Sequence, residues 1–185
     1  MCPGGWATLA LLAVIVTFSC GPEEGETISV DRSMMLLPEL EKASWTPRVI
    51  NLNHPLIAPA SVDLGDGPVP ALFAHPDATV SWSLRLERRV RLVTAVGLRS
   101  GAWNLSGDGA GFTVRIGTNE PRVLYHRVLD PRHRPEDRGW KKVEIDLTPW
   151  TGQVIRLTLV TDTGGANDPS YDWAVWRNPT LEVVP

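Results

Sequence analysis

A chain of 185 residues, 43% of them hydrophobic, is long enough to bury the core of one ordinary domain and too short for two. Sixteen glycines and sixteen prolines argue against a helical bundle, since both residues interrupt helices and serve the turns between short strands. The net charge of −3 lacks the basic excess of a nucleic-acid binder. The local basic runs "RLERRVR" (85–91) and "RHRPEDRGWKK" (132–142) have the chemistry to meet phosphate or sulfate, although runs this short are ordinarily solvated.

The chain begins "MCPGGWATLALLAVIVTFSC", apolar without interruption from Trp6 to Phe18. That stretch falls short of the roughly 20 residues of a membrane span and suits the hydrophobic region of a signal peptide. Its end, Ser19 followed by Cys20, resembles the lipobox of bacterial lipoproteins, which implies lipidation of Cys20 and attachment to the membrane of the cell envelope. Thr17 stands where that pattern usually has leucine, and no Lys or Arg precedes Arg32. A plain secretory peptide and an uncleaved anchor stay open as alternatives, and all three readings put the domain outside the cytoplasm. With Cys2 lost and Cys20 modified, the mature domain has no thiol for a disulfide, a zinc site or a nucleophile.

Residues 1–20 therefore read as a signal, 21–46 as an acidic tether with one helical turn near the apolar cluster Met34 to Leu40, and 47–185 as the folded domain. From Val49 onward, short runs alternate with turn chemistry every 8 to 15 residues, the texture of a β-sandwich. Val80, Trp82, Leu84 and Leu86 face one way while Ser81, Ser83, Arg85 and Glu87 face the other, the pattern of a half-buried strand. The runs 112–116, 142–147 and 155–159 alternate in the same way, and 48–53, 91–99, 122–129 and 179–184 are further candidates. About eight strands with one wet face each predict an all-β antiparallel sandwich of jelly-roll type. The segments 106–111, 130–139, 149–153 and 162–170 combine Gly, Pro, Asn and Asp and read as loops.

From Gly109 to the end, "RVLDPRHRPEDRGWKKVEIDLTPWTGQVIRLTLVTDTGG" and "YDWAVWRNPTLEV" resemble extracytoplasmic galactose-binding-like jelly-roll modules, the carbohydrate-binding domains of bacterial glycosidases among them. The likeness rests on Trp140 opening a strand, Ile145 to Leu147, the turn at Gly152 and Gln153, Leu157 to Leu159, and Asp172 to Pro179. Similar segments lie beside sulfatase-like and membrane glycosyltransferase-like domains, but the Cys-x-Pro-x-Arg sequence of a sulfatase is missing. The resemblance implies a non-catalytic module that binds carbohydrate or cell-envelope glycan. The alternative is an accessory domain packed on a catalytic neighbour, with this chain the front part of a longer protein.

Sugars are held by aromatic platforms and a few fixed polar groups, so the eight tryptophans are the residues to sort. Trp82 lies on the apolar side of its strand and reads as core, while Trp103 and Trp150 sit in loops. The ligand-binding residues expected are Trp103, Asp137, Arg138 and Trp140: an aromatic at the sandwich rim, with Arg138 and Asp137 as donor and acceptor for vicinal hydroxyls. Asp172, Trp173 and Trp176 are expected to be structural, the carboxylate accepting backbone or indole hydrogen bonds, while Tyr171 and Arg177 look outward. No GxSxG, HExxH or Walker-type loop occurs, and Glu136 and Asp137 are neighbours on a loop, expected to be solvated, not two carboxyls set across a substrate. No cofactor and no metal ligand is assigned. Asp-Gly in "DLGDG" (63–67) and "SGDG" (106–109) is ordinary turn chemistry, although a structural calcium stays open.

Overall fold

The computed structural model describes residues 26–46, 56–117, 120–165 and 167–185. The signal, Cys20 and the strand expected at 48–53 lie outside the described residues. Twelve strands appear among those described: β1 (Thr27–Val30), β2 (Met34–Met35), β3 (Ser44–Thr46), β4 (Ile57–Val62), β5 (Val69–Ala74), β6 (Ala78–Leu86), β7 (Val90–Leu98), β8 (Ala110–Ile116), β9 (Arg122–Leu129), β10 (Lys141–Asp146), β11 (Val154–Asp162) and β12 (Ala174–Val183). The helical structure described is four short 3-10 turns.

The strands form two six-stranded sheets. The first runs β1-β6-β11-β8-β9 with β3 also on β6, and the second runs β10-β7-β12-β5-β4 with β2 also on β12. β1 is parallel to β6, and every other described pairing is antiparallel. The inward positions of the alternating strands meet between the sheets, with Trp82, Phe112 and Trp176 fully buried. Phe112 and Trp176 pack edge to face, their ring centroids 5.4 Å apart.

Three expectations are corrected here. The segment read as a tether is part of the sandwich from Thr27. β1 extends the first sheet, and the Leu36 amide donates to the Pro179 carbonyl (2.8 Å). Leu36 itself is fully buried, and Trp82 donates its indole N–H to the Glu39 carbonyl (3.1 Å). Burying one leucine stabilises by about 1.5–3 kcal/mol, which an acidic surrounding does not prevent. The strand count is also higher than eight: β1, β2 and β3 lie in the segment read as a tether, and β4 and β5 each carry a proline, Pro59 and Pro70, that masks the alternation. β4 is the edge of its sheet, where a missing ladder donor is tolerated. The last strand begins at Ala174, not 179, since Pro179 lies within the register shift between Arg177 and Thr180.

Candidate functional site

Register brings three loops to one end of the sandwich. Leu98 pairs with Ala174, Ala110 with Leu129, Gly111 with Asp162 and Val96 with Lys141. The connections 99–109, 130–140 and 163–173 therefore leave from the same rim, and they carry Trp103, Asp137, Arg138, Trp140, Asp172 and Trp173. The expected residues are thus gathered at one end, but their environments differ from expectation.

Asp137 is 3% exposed, not solvated. Its carboxylate accepts from Arg127 (3.1 Å) and from the Asp130 amide (3.0 Å), and pairs with Arg134 at 3.0 Å. Both oxygens are committed to holding the 130–138 loop together. Arg138 is equally committed: Nε donates to the Pro131 carbonyl (3.0 Å), Nη2 to Asn104 (3.1 Å), and the guanidinium sits 5.8 Å from the centroid of Trp103. Trp103 donates its indole N–H to the Leu98 carbonyl (2.8 Å).

Trp140 lies over the outside of the second sheet. With Trp103 it packs against a small apolar cluster of Val62, Leu64, Ala71 and Val175. Its ring carries the Arg177 guanidinium at 5.7 Å, and Arg177 pairs with Asp66 at 3.2 Å. A Cβ on Gly97 would meet Cδ1 of Leu64 at 2.5 Å, so that side chain would have to shift to admit one. Each of these two indoles therefore stacks on an arginine of its own chain.

The aromatics near the end of the chain take separate roles. Trp176 is core. Asp172 is completely buried, and among the described residues no indole N–H donates to its carboxylate. Burial pushes its pKa up to about 7, and the carboxylates of Asp108, Asp168 and Asp130 push the same way against the opposing pull of the Gly109 amide. Among the described residues no group of three His, Cys, Asp or Glu side chains is arranged to hold a metal ion.

Trp173 is half-buried and lines a cleft of about 370 Å³ together with Ser61, Asp63, Arg99, Ser100 and Gly101. The Arg99 amide donates to the Trp173 carbonyl (2.9 Å), and a Cβ on Gly101 would stand 3.1 Å from the indole, so glycine lets the ring lie close. The Arg99 guanidinium rests 5.8 Å from the centroid of Phe73 and makes no ion pair or side-chain hydrogen bond among the described residues. Oδ1 of Asp63 accepts from the Gly65 and Gly67 amides at 2.8 and 3.1 Å, and among the described residues Oδ2 has no donor. Tyr171 stands beside Trp173, ring centroids 6.4 Å apart, 40% exposed and at φ +64°. A bulky residue in that left-handed region is a backbone outlier of the kind concentrated at functional sites. Donors, an acceptor and an aromatic face thus converge where the sequence reading had assigned only structure. Arg99, within "LRSGAWN", belongs to no pattern until its loop docks on Trp173.

No family model matches the chain. It is 31% identical over 121 residues to an uncharacterized protein of Archaeoglobus fulgidus, and it spans only 30% of the length of that relative while the match takes 60% of this chain. Among solved structures it is similar to a family 51 carbohydrate-binding module of Clostridium perfringens ZmpB, solved with INT domains and in complex with GlcNAc (13% identity, TM-score 0.56, 83% of this chain and 32% of that one). It is also similar to the family 51 module of Clostridium perfringens GH95, solved in complex with methyl-galactose (18% identity, TM-score 0.53, 80% of this chain and 99% of that one). Connectivity, sheet pairing and these likenesses agree that the chain has the galactose-binding-like jelly-roll fold of carbohydrate-binding modules.

Proposed function

We propose that this chain is a non-catalytic carbohydrate-binding domain whose site is the cleft of Trp173, Arg99 and Asp63. The observation that carries the reading is the convergence in one cleft of an indole, a guanidinium without an acceptor among the described residues and a carboxylate oxygen without a donor among them. A pyranose presents an apolar face to stack on the ring and vicinal hydroxyls that both accept from Arg99 and donate to Asp63. The cleft volume lies at the small end of ligand sites and suits one or two sugar units. The fold supports the reading, because the two solved modules named above are in complex with GlcNAc and with methyl-galactose. Trp103, Arg138 and Trp140 act here as the frame behind the cleft, and Asp137 as the buried anchor of its neighbouring loop.

The same reading puts the domain outside the cytoplasm, held to the cell envelope through lipid on Cys20. A second reading, an accessory domain packed on a neighbour, is favoured by one observation: the Archaeoglobus fulgidus relative is much longer than the segment that matches. Calorimetric titration of the full chain with galactose- and GlcNAc-terminated oligosaccharides distinguishes the two. Loss of a ring on which a nucleobase stacks costs on the order of 1–3 kcal/mol; by analogy Trp173→Ala should weaken sugar binding by that much, and Arg99→Ala should weaken it too. Equal affinity in wild type and both variants would remove this cleft as the site.

A further inference from the structure

The outer face of the first sheet holds arginines without counter-ions. Arg115 on β8 is the register partner of Thr158 on β11, so Arg156, two residues before Thr158 and on the same face, stands diagonal to it at roughly 7–8 Å. Arg122 opens β9 as the register partner of the core residue Ile116, so it leaves from the opposite face at the rim of the sheet, where its guanidinium lies 5.9 Å from the centroid of Trp150. Among the described residues none of these three makes an ion pair or a side-chain hydrogen bond, and Nε of Arg115 is buried without an acceptor. Elsewhere Arg91, Arg127, Arg134 and Arg177 each meet a carboxylate. A second cleft of about 370 Å³ joins Arg122 and Arg156 with Trp150 and Gln153, and Glu120 is the one carboxylate lining it.

We propose that this face binds the sulfate or carboxylate groups of an acidic polysaccharide. A guanidinium is a planar fork suited to such oxyanions, and a buried donor without an acceptor strengthens any anion brought to it. The occupant is a sugar polymer because Trp150 and Gln153 stand beside the cations, offering the apolar face and the amide that a pyranose ring uses. A duplex nucleic acid is disfavoured by the net charge of −3, since it would lay a wide footprint on acidic surface. This face is separate from the Trp173 cleft and does not depend on it.

The test measures binding of the full chain to dextran sulfate, to polygalacturonate, to uncharged dextran and to a short DNA duplex, from about 50 to about 300 mM NaCl. Wild type should bind one or both acidic polymers, more weakly as salt rises, and ignore uncharged dextran. Arg115→Ala/Arg156→Ala should weaken that binding about tenfold or more. Arg91→Ala, which removes one charge at a paired arginine, and Trp173→Ala should leave it within about twofold. Arg122→Glu, at an exposed position, gives the same readout if the double variant loses its thermal transition. The proposal is overturned if neither acidic polymer binds, if Arg91→Ala weakens binding as much as the face variants, or if the duplex binds more tightly than both polymers.

Discussion

Trp176 on β12 donates its indole N–H to Oγ1 of Thr161 on β11 at 3.1 Å, a hydrogen bond between the two sheets with both residues inside the core. It divides the aromatic cluster of residues 171–176: Trp176 closes the sandwich while Trp173 and Tyr171 stand at its rim.

Trp176→Phe should therefore destabilise without touching ligand affinity. It leaves a buried hydroxyl without its donor and a cavity beside Phe112, together about 2–4 kcal/mol. Denaturant titration reads the change in stability. A loss below about 0.5 kcal/mol would mean that the cross-sheet bond contributes little.

Leu36→Ala tests whether the acidic segment after residue 26 belongs to the fold. A fully buried leucine costs about 2–5 kcal/mol to truncate, whereas a tether position costs nothing measurable. Thermal melting of the full chain should show a clear downward shift, and an unchanged midpoint would return the segment to the role of a linker.

That segment marks where the sequence stops being informative. β6, β8, β10 and β11 were legible because period-two alternation is a local signal. Leu36 is buried by contact with β12, some 140 residues later in the chain, and no local pattern reports that. Pro59 and Pro70 hide two strands whose place at or near a sheet edge tolerates them. The rim was legible as the end that carries Trp103 and Trp140. The burial of Asp137 was not, since its neighbour Glu136 is exposed and only the folded loop sets Arg127 and Arg134 around the one carboxylate.

Tyr171→Gly should separate stability from function. Glycine relieves a left-handed backbone conformation that costs a side chain about 1–2 kcal/mol. The variant is expected to melt higher than wild type and to bind sugar more weakly, because the ring beside Trp173 is lost. Lower stability together with unchanged affinity contradicts the assignment of that strain to the site.

The buried carboxylate of Asp172 predicts a pH dependence with a definite sign. Its folded pKa of about 7 lies above the unfolded value near 3.8, so the folded state binds the extra proton between those limits. The contribution is favourable when the group is protonated, and it is lost as pH rises from about 4 through about 7. Asp172→Asn removes this dependence: in buffer with EDTA its midpoint should exceed that of wild type increasingly from about pH 5 to about pH 8. Parallel wild-type and variant profiles would show that the carboxylate does not titrate in this range.

The most direct test of the account is chemical-shift mapping on the isotope-labelled full chain titrated with methyl-galactose and, separately, with GlcNAc. The account predicts saturable shifts centred on the Trp173 indole, the Arg99 side chain and the amides of Ser100, Gly101 and Asp63, all residues at the cleft. Trp82 and Trp176, sealed in the core, should stay unmoved. If neither sugar shifts these signals at tens of millimolar, or if the shifts centre on Trp150 and Arg156 instead, the Trp173 cleft is not the carbohydrate site.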